Sequence, residues 1–211
     1  MFRAKPILGF LCRFVLVFGL LTAPWPGWPE TYARCLRKCA TAVSGAFGSK
    51  GIVKFAPNPA GARTVDTIIC VRNREKLGAN ESGPMGFHEF DCRVGAYFPT
   101  ALVIALVLAT RISWRRRLSA LAWGLVWIHV LIAFLLGLMI VLTICDLPSL
   151  GLFVLSPFWR KTVSFWYGIF VALLGGRFAA AVLIWIGVTF RRDDWINLLG
   201  TPQVSASKSL H

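Results

Sequence analysis

Residues 118–145 contain no Asp, Glu, Lys or Arg, and an uncharged apolar run of that length has one ordinary home. A helix needs roughly 20 apolar residues to cross the hydrocarbon core of a bilayer, with about 17 as a working lower limit. This run is long enough to cross with tilt or to project beyond the membrane. Three more runs come close to the requirement: residues 6–23, interrupted by Arg13; residues 97–114; and residues 163–190. Composition agrees, because 56% hydrophobic and 15% charged residues do not describe a water-soluble globule. The sequence therefore predicts a mainly α membrane protein of four transmembrane helices.

The net charge of +14 could by itself indicate nucleic acid, anionic lipid or topology signals. Position decides. Arg3 and Lys5 precede the first run, Arg115, Arg116 and Arg117 separate the second from the third, and Arg191 and Arg192 follow the fourth. This is flanking charge, with no nucleic-acid stripe. Short Lys- and Arg-rich segments stay cytoplasmic, so four spans put both termini inside. Arg160 and Lys161, between spans three and four, are a mild violation of the rule. Arg13 and Arg111 lie close enough to the cytoplasmic boundary to snorkel.

A cleavable signal peptide is the rival reading of the first run, with Arg3, Lys5 and Arg13 as its charged region. The run ends Leu21-Thr22-Ala23-Pro24-Trp25-Pro26 with no Ala-x-Ala site, so an uncleaved anchor over residues 1–23 fits better. A lipoprotein-type Cys12 is weaker still, since bulky Phe10 and Leu11 precede it. The remaining organisation follows: an extracytoplasmic loop domain over 24–96, a three-helix transmembrane bundle over 97–192, and a disordered cytoplasmic tail over 193–211.

The loop domain is the stretch with enough polar residues to fold in water. Residues 30–47 read as a helix, with Tyr32, Leu36, Cys39, Val43 and Phe47 at helical spacing, Arg34, Arg37 and Lys38 largely away from them, and Gly48 as a stop. Such a basic helix either lies on the membrane surface or caps the loop's own core. Residues 52–55, 64–71 and 87–94 have strand character. In the last, His88, Phe90, Cys92 and Val94 alternate with Glu89, Asp91 and Arg93, one face buried and one wet. A small α+β unit is expected.

Four of the six cysteines, Cys35, Cys39, Cys70 and Cys92, fall in this loop. In an oxidising compartment an even set suggests two disulfides, and helix-to-strand bridges to Cys70 and Cys92 are preferred over Cys35 with Cys39. Zinc ligation with His88 lacks a paired CxxC spacing, and no metal or other cofactor is expected. Asn80-Glu81-Ser82 is formally a glycosylation sequon. Cys12 and Cys145 lie in or at the end of spans as small apolar residues.

Ionisable groups deep in a span default to a functional hypothesis. His129 and Arg177 both fall roughly 18 to 21 Å from the cytoplasmic boundary at 1.5 Å per residue. They either pair or face a polar cavity; the plainer alternative gives Arg177 to backbone carbonyls and leaves His129 as packing. Around Arg177, Gly175/Ala179 and Gly176/Ala180 form small-xxx-small pairs that let helices approach closely. Cys145 is about 24 Å from His129 along one helix, too far for a catalytic dyad, and no P-loop, GxSxG, HExxH or CxxC is present.

The run from Asp91-Cys92-Arg93-Val94-Gly95-Ala96-Tyr97-Phe98-Pro99-Thr100 through Ala109-Thr110 to Ser113-Trp114-Arg115-Arg116-Arg117 resembles small membrane proteins encoded with bacterial exosortases. The resemblance covers about a fifth of the chain. It implies an accessory role in the inner membrane beside a peptidase that processes surface proteins with a C-terminal sorting signal. The peptidase's own catalytic pattern is not present, and the cysteine-rich loop and fourth span match nothing in that family.

Three functions follow. The first is a non-enzymatic accessory or scaffold whose partners are the bilayer, an exosortase-like peptidase or further copies of itself, without nucleic acid. The second is a small transporter or channel component using Arg177 and His129. The third, an enzyme built on His88, Glu89 and Asp91, rests on a cluster that is usually a solvated strand face.

Overall fold

The computed structural model describes residues 4–23, 27–47, 49–58, 65–77, 83–172 and 174–190. The expected helix stop at Gly48, the sequon, Arg191, Arg192 and the tail over 193–211 lie outside them. The protein is mainly helical, with one long apolar helix and a small sheet. Helix α1 spans Ala4–Thr22 and α2 spans Trp28–Ser44. Four strands follow, β1 Ala46–Phe47, β2 Gly51–Pro57, β3 Thr67–Asn73 and β4 Met85–Phe90, forming an antiparallel sheet in the order β1-β2-β3-β4. Then come α3 Phe98–Ala109, α4 Trp114–Asp146, α5 Pro157–Tyr167 and α6 Leu174–Thr189.

Local chemistry explains the boundaries. Gly27 takes φ 76°, a left-handed conformation natural to glycine, and places Pro29 in the first turn of α2, where its missing N–H costs nothing. The basic helix ends at Ser44, three residues before the expected end, because Ala46 and Phe47 pair with Ile52 and Gly51 instead. β4 likewise stops at Phe90 rather than running to Val94. Asp91 Oδ1 accepts the backbone N–H groups of Arg93 (2.8 Å) and Val94 (3.1 Å), starting a π-helical turn over Arg93–Tyr97 that leads into α3. A side-chain acceptor for the first free N–H groups is what a helix start requires.

Among the described residues, only α4 is both long and apolar enough to cross a membrane by itself. The apolar part of α1, Ile7–Thr22, and the π-helical turn together with α3, Arg93–Ala109, are shorter. The expected fourth span is not one straight helix: Pro157–Phe170 and Gly175–Thr189 make an angle of 78°, with a π-helical turn at Gly168–Ala172 between α5 and α6. α3 is the hub, packed against α1, α4 and α6 and buried along most of its length.

Burial along α4 changes character partway. In its first half Ala120, Gly124 and Ile128 form one narrow buried stripe, while Trp123, Val126, Trp127, Val130 and Phe134 are exposed. From Leu135 onward Leu136, Leu138, Met139, Ile140, Leu142 and Ile144 are all buried. That second half packs against β3 and β4. Its side chains share one core with Val53, Ile69 and Val71 of the sheet, all 0% exposed. The loop over 24–96 therefore does not enclose its own core; α4 supplies a wall. The turn after α4 closes the contact, with Asn73 Nδ2 donating to Leu150 O at 2.8 Å and Lys76 Nζ to Ser149 O at 2.8 Å.

Two glycines permit these contacts. A methyl at Gly86 on β4 would stand 2.7 Å from Thr143 Cγ2 and 3.1 Å from Leu147 Cδ1, and one at Gly124 would stand 2.9 Å from Val103 Cγ1 on α3, whereas one at Gly137 meets nothing within 4 Å. Gly86→Val and Gly124→Val should each cost about 1–3 kcal/mol by overpacking. Gly137→Ala should be neutral or gain up to about 1 kcal/mol of helix propensity. Thermal unfolding of the purified protein in detergent checks all three, and equal loss at Gly124 and Gly137 would contradict the packing.

Candidate functional site

The chemistry-bearing side chains collect at the seam between the sheet and the helices. At its centre Arg177 is 8% exposed. Its Nε donates to Phe170 O at 3.0 Å, so the guanidinium is held by a carbonyl of the widened turn that joins α5 to α6. It also closes on the start of the α3 segment, because a methyl at Gly95 would enter the Phe90 ring and come within 3.1 Å of Arg177 Nη1.

His129 is elsewhere. It is exposed on α4, and its Nδ1 lies 2.8 Å from Leu125 O, one turn back. A carbonyl only accepts, so Nδ1 is the donor in this contact. The expected His129–Arg177 pair does not form. Similar depth along two helices does not bring side chains together when each points to a different side of its helix. His129 instead lines the end of an apolar groove of about 270 Å³ between α2 and α4, with Leu36, Cys39, Ala40, Ile132 and Leu136 on its walls.

The small-xxx-small pairs, Gly175/Ala179 and Gly176/Ala180, suggest a close helix contact either within the chain or with a partner, and neither pair seats a helix of this chain. Gly175 meets nothing within 4 Å of a would-be methyl, and its mate Ala179 is exposed. Gly176 is needed at the bend, where a methyl would collide with Ile169 O, and its mate Ala180 is only half-buried. The reason is the bend itself: it uses Gly176 for a local backbone approach, so that glycine is not free to seat a neighbouring helix. Close packing on α6 falls instead to Ala181, 0% exposed, one position beyond Ala180.

The cysteines overturn the disulfide expectation: all six are free thiols. Strand parity gives the reason. On β3 Thr67, Ile69 and Val71 are buried while Cys70 faces the other side. Cys92 sits on the Thr67 side, its Sγ 3.1 Å from Thr67 Oγ1, so the sheet separates the two. Cys35 and Cys39 are exposed on α2.

Cys92 belongs to a closed polar network. Thr67 Oγ1 donates to Asp66 Oδ1 at 2.8 Å, and Asp66 Oδ1 also accepts Cys92 N–H at 3.1 Å. Having one proton to give, the Thr67 hydroxyl can only accept from its other neighbours, Arg37 Nη1 at 3.1 Å and the Cys92 thiol. Burial pushes the Cys92 thiol up to about 12, the Thr67 contact opposing. It is a protonated, inert thiol. Arg37 also reaches Asp66 O at 3.3 Å, and Thr41 Oγ1 accepts Phe55 N–H at 3.4 Å. The basic helix is thereby tied to the sheet as its cap, the second of the two readings its periodicity allowed.

Of the acid cluster, Glu89 is exposed, Asp91 is occupied as a helix start, and His88 turns inward. His88 Nε2 lies 3.4 Å from Tyr167 OH, with the rings edge to face at 6.0 Å. The three do not converge on one point. Sequence reasoning missed Asp91 as a cap, although an Asp just ahead of an apolar run is a start signal, and missed Tyr167, which nothing in the sequence marks. Among the described residues no three His, Cys, Asp or Glu side chains are grouped to hold a metal ion. No protein-family model, curated protein or solved structure matches the chain.

Two measurements check this geometry. Without reductant, Cys35 and Cys39 should react readily with a membrane-impermeant maleimide, Cys70 slowly because burial raises its thiol, and Cys92 only after denaturation; a bridged pair would show up as labelling that needs reductant. Burial also lowers the His88 pKa below 6.5, with Asp146 and Glu89 opposing. The unfolded chain then takes up the proton first, so stability is whole above about pH 6.5 and falls as pH drops through the lowered value. Tm should decline as pH falls below about 6.5, and His88→Gln should flatten that decline.

Proposed function

We propose that this is a multi-pass bacterial inner-membrane protein with four spans and both termini cytoplasmic, acting as an accessory or scaffold rather than as a catalyst. The observation that carries the reading is the exposed apolar surface. Ile7, Leu8, Leu11, Val15, Leu16 and Leu20 of α1 are 48–64% exposed, Trp123, Val126, Trp127 and Val130 of α4 are 51–57% exposed, and Leu183 of α6 is 67% exposed. A patch of that extent is not stable against water and suits lipid. On α4 the exposure ends at Phe134, which supports a membrane boundary there, with the remaining turns backing the extracytoplasmic unit.

α1, the Arg93–Ala109 segment, α4 and the broken α5–α6 pair supply the four crossings. Short spans are accommodated by local thinning of the bilayer. The arginines at 115–117 stand at the opposite end of α4 from the sheet, as the positive-inside rule requires. Arg160, outside on this reading, is partnered by Asp146 at 3.2 Å. That pair softens the one violation of the charge rule.

The scaffold reading gains support from how the reactive groups are occupied: Cys92 by Thr67, His129 by its own helix and Arg177 by Phe170 O. The transporter alternative loses its basis with the separation of His129 and Arg177. The likeness of residues 91–117 to exosortase-associated proteins supplies the proposed partner, an exosortase-like membrane peptidase. The outer unit offers exposed apolar contacts at Val43, 83% exposed, and Phe87, 57% exposed.

A reporter fused after Arg192 should score cytoplasmic and one inserted between β3 and β4 extracytoplasmic; the reverse of either would sink the topology. Photo-crosslinkers at Val43 and Phe87 in living cells should trap a multi-pass peptidase, identified by mass spectrometry. Adducts confined to lipid or to further copies of the chain would remove the proposed partner.

A further inference from the structure

We infer that the chain binds one anionic phospholipid of the inner leaflet, with its phosphate diester held by Arg13 and Arg117 and an acyl chain laid along the wall of α1. The site is a cavity of about 490 Å³ between α1 and the α3–α4 turn, lined by Cys12, Arg13, Leu16, Val17, Leu108 and Arg117. Two arginines line it with four other, largely apolar side chains, and no carboxylate is among the lining residues. Arg13 has no ionic partner among the described residues. That combination matches neither a packed core nor a water-filled channel. It matches an amphipathic anion, and basic pockets between spans on the cytoplasmic side are where such lipids are held.

Arg117 is fixed before any ligand arrives. Its Nη2 donates to Thr110 O at 3.1 Å and contacts Ile112 O at 3.4 Å, and its guanidinium lies over the Trp114 ring at 5.6 Å. Its Nε is enclosed by the protein and Nη2 is turned to the two carbonyls, which leaves Nη1 to meet a ligand. A planar guanidinium held in place suits a phosphate oxygen better than a flexible lysine would. Arg13 is exposed on α1 and free to close from the other side. Leu16, 62% exposed, continues the cavity wall into the lipid-facing surface of α1, which is why the ligand is taken to be a lipid rather than free phosphate. Arg111, whose Nη2 would stand 3.0 Å from a methyl at Gly9, adds a third positive charge beside the same helix.

The inference rests on the proposed topology only for the leaflet; the pocket itself does not. Native mass spectrometry of the full chain in detergent, supplied with equal phosphatidylglycerol and phosphatidylcholine, reads lipid binding without reference to leaflet, while the reporter fusions read topology separately. Wild type should retain one phosphatidylglycerol in preference to phosphatidylcholine. Arg13→Gln should weaken retention about fivefold, the effect expected of one cation near a membrane surface. Cys12→Phe, which intrudes on the cavity and keeps both arginines, should do the same without shifting Tm. Arg117→Gln is the less clean variant because it also frees the Thr110 carbonyl. Equal retention of the two lipids, retention unchanged in both Arg13→Gln and Cys12→Phe, or full displacement by millimolar inorganic phosphate would each overturn the assignment.

Discussion

One helix has to satisfy two different surroundings, and the rest of the structure is arranged around that requirement. α4 needs a single buried stripe where Ala120, Gly124 and Ile128 face α3 and α6, and a much broader buried surface where Leu135 to Ile144 back the sheet. An unbroken backbone carries both halves, so the position of the sheet relative to α1, α3 and α6 is set by one rigid rod instead of a linker. The buried contacts at Gly86 and Gly124 fix the two ends of that rod against its neighbours, and each tolerates no extra atom. The other junctions lie where a helix starts, bends or ends: Asp91 ahead of α3, the turn at Gly168–Ala172 ahead of α6, and Asn73 on the turn after α4.

Much of this architecture was legible in the sequence, for reasons that can be traced to particular residues. The uncharged run 118–145 announced α4 because lipid and buried sheet both demand apolar side chains; for the same reason, it could not say where one environment gives way to the other. The strand character of β2, β3 and β4 was legible, as was the basic amphipathic helix α2, whose C-terminal end was misplaced by the short pairing of Ala46 and Phe47. The break near Gly168 was not legible, since Gly and apolar residues are equally at home in a straight span.

The candidate site was read less well. Counting residues placed His129 and Arg177 at similar depth, and counting says nothing of direction around the helix. Azimuth decided whether they met, and azimuth depends on which face of each helix is packed. The same limit applies to Gly176 and Ala180: their spacing is that of a packing pair, but only the bend shows that the glycine is already used. Cysteine arithmetic failed for a similar reason: parity put Cys70 and Cys92 on opposite sides of one sheet, and only the register of β3 with β4 reveals that. The Thr67 network and the Tyr167 contact join residues dozens of positions apart, with no local signature.

The shared wall of the outer unit also imposes an order of events. Strands β2, β3 and β4 leave the ribosome before α4 does, yet their core is unfinished until Leu135 to Ile144 and Leu150 arrive beside Val53 and Val71. On the proposed topology, the sheet is exported early and waits, its apolar face open, while two later spans are inserted. Membrane insertion and completion of the extracytoplasmic fold then become one event, with the slow step set by distant contacts. A chain stalled after α3 would leave an unfinished sheet outside the membrane, open to whatever protein or chaperone reaches it first.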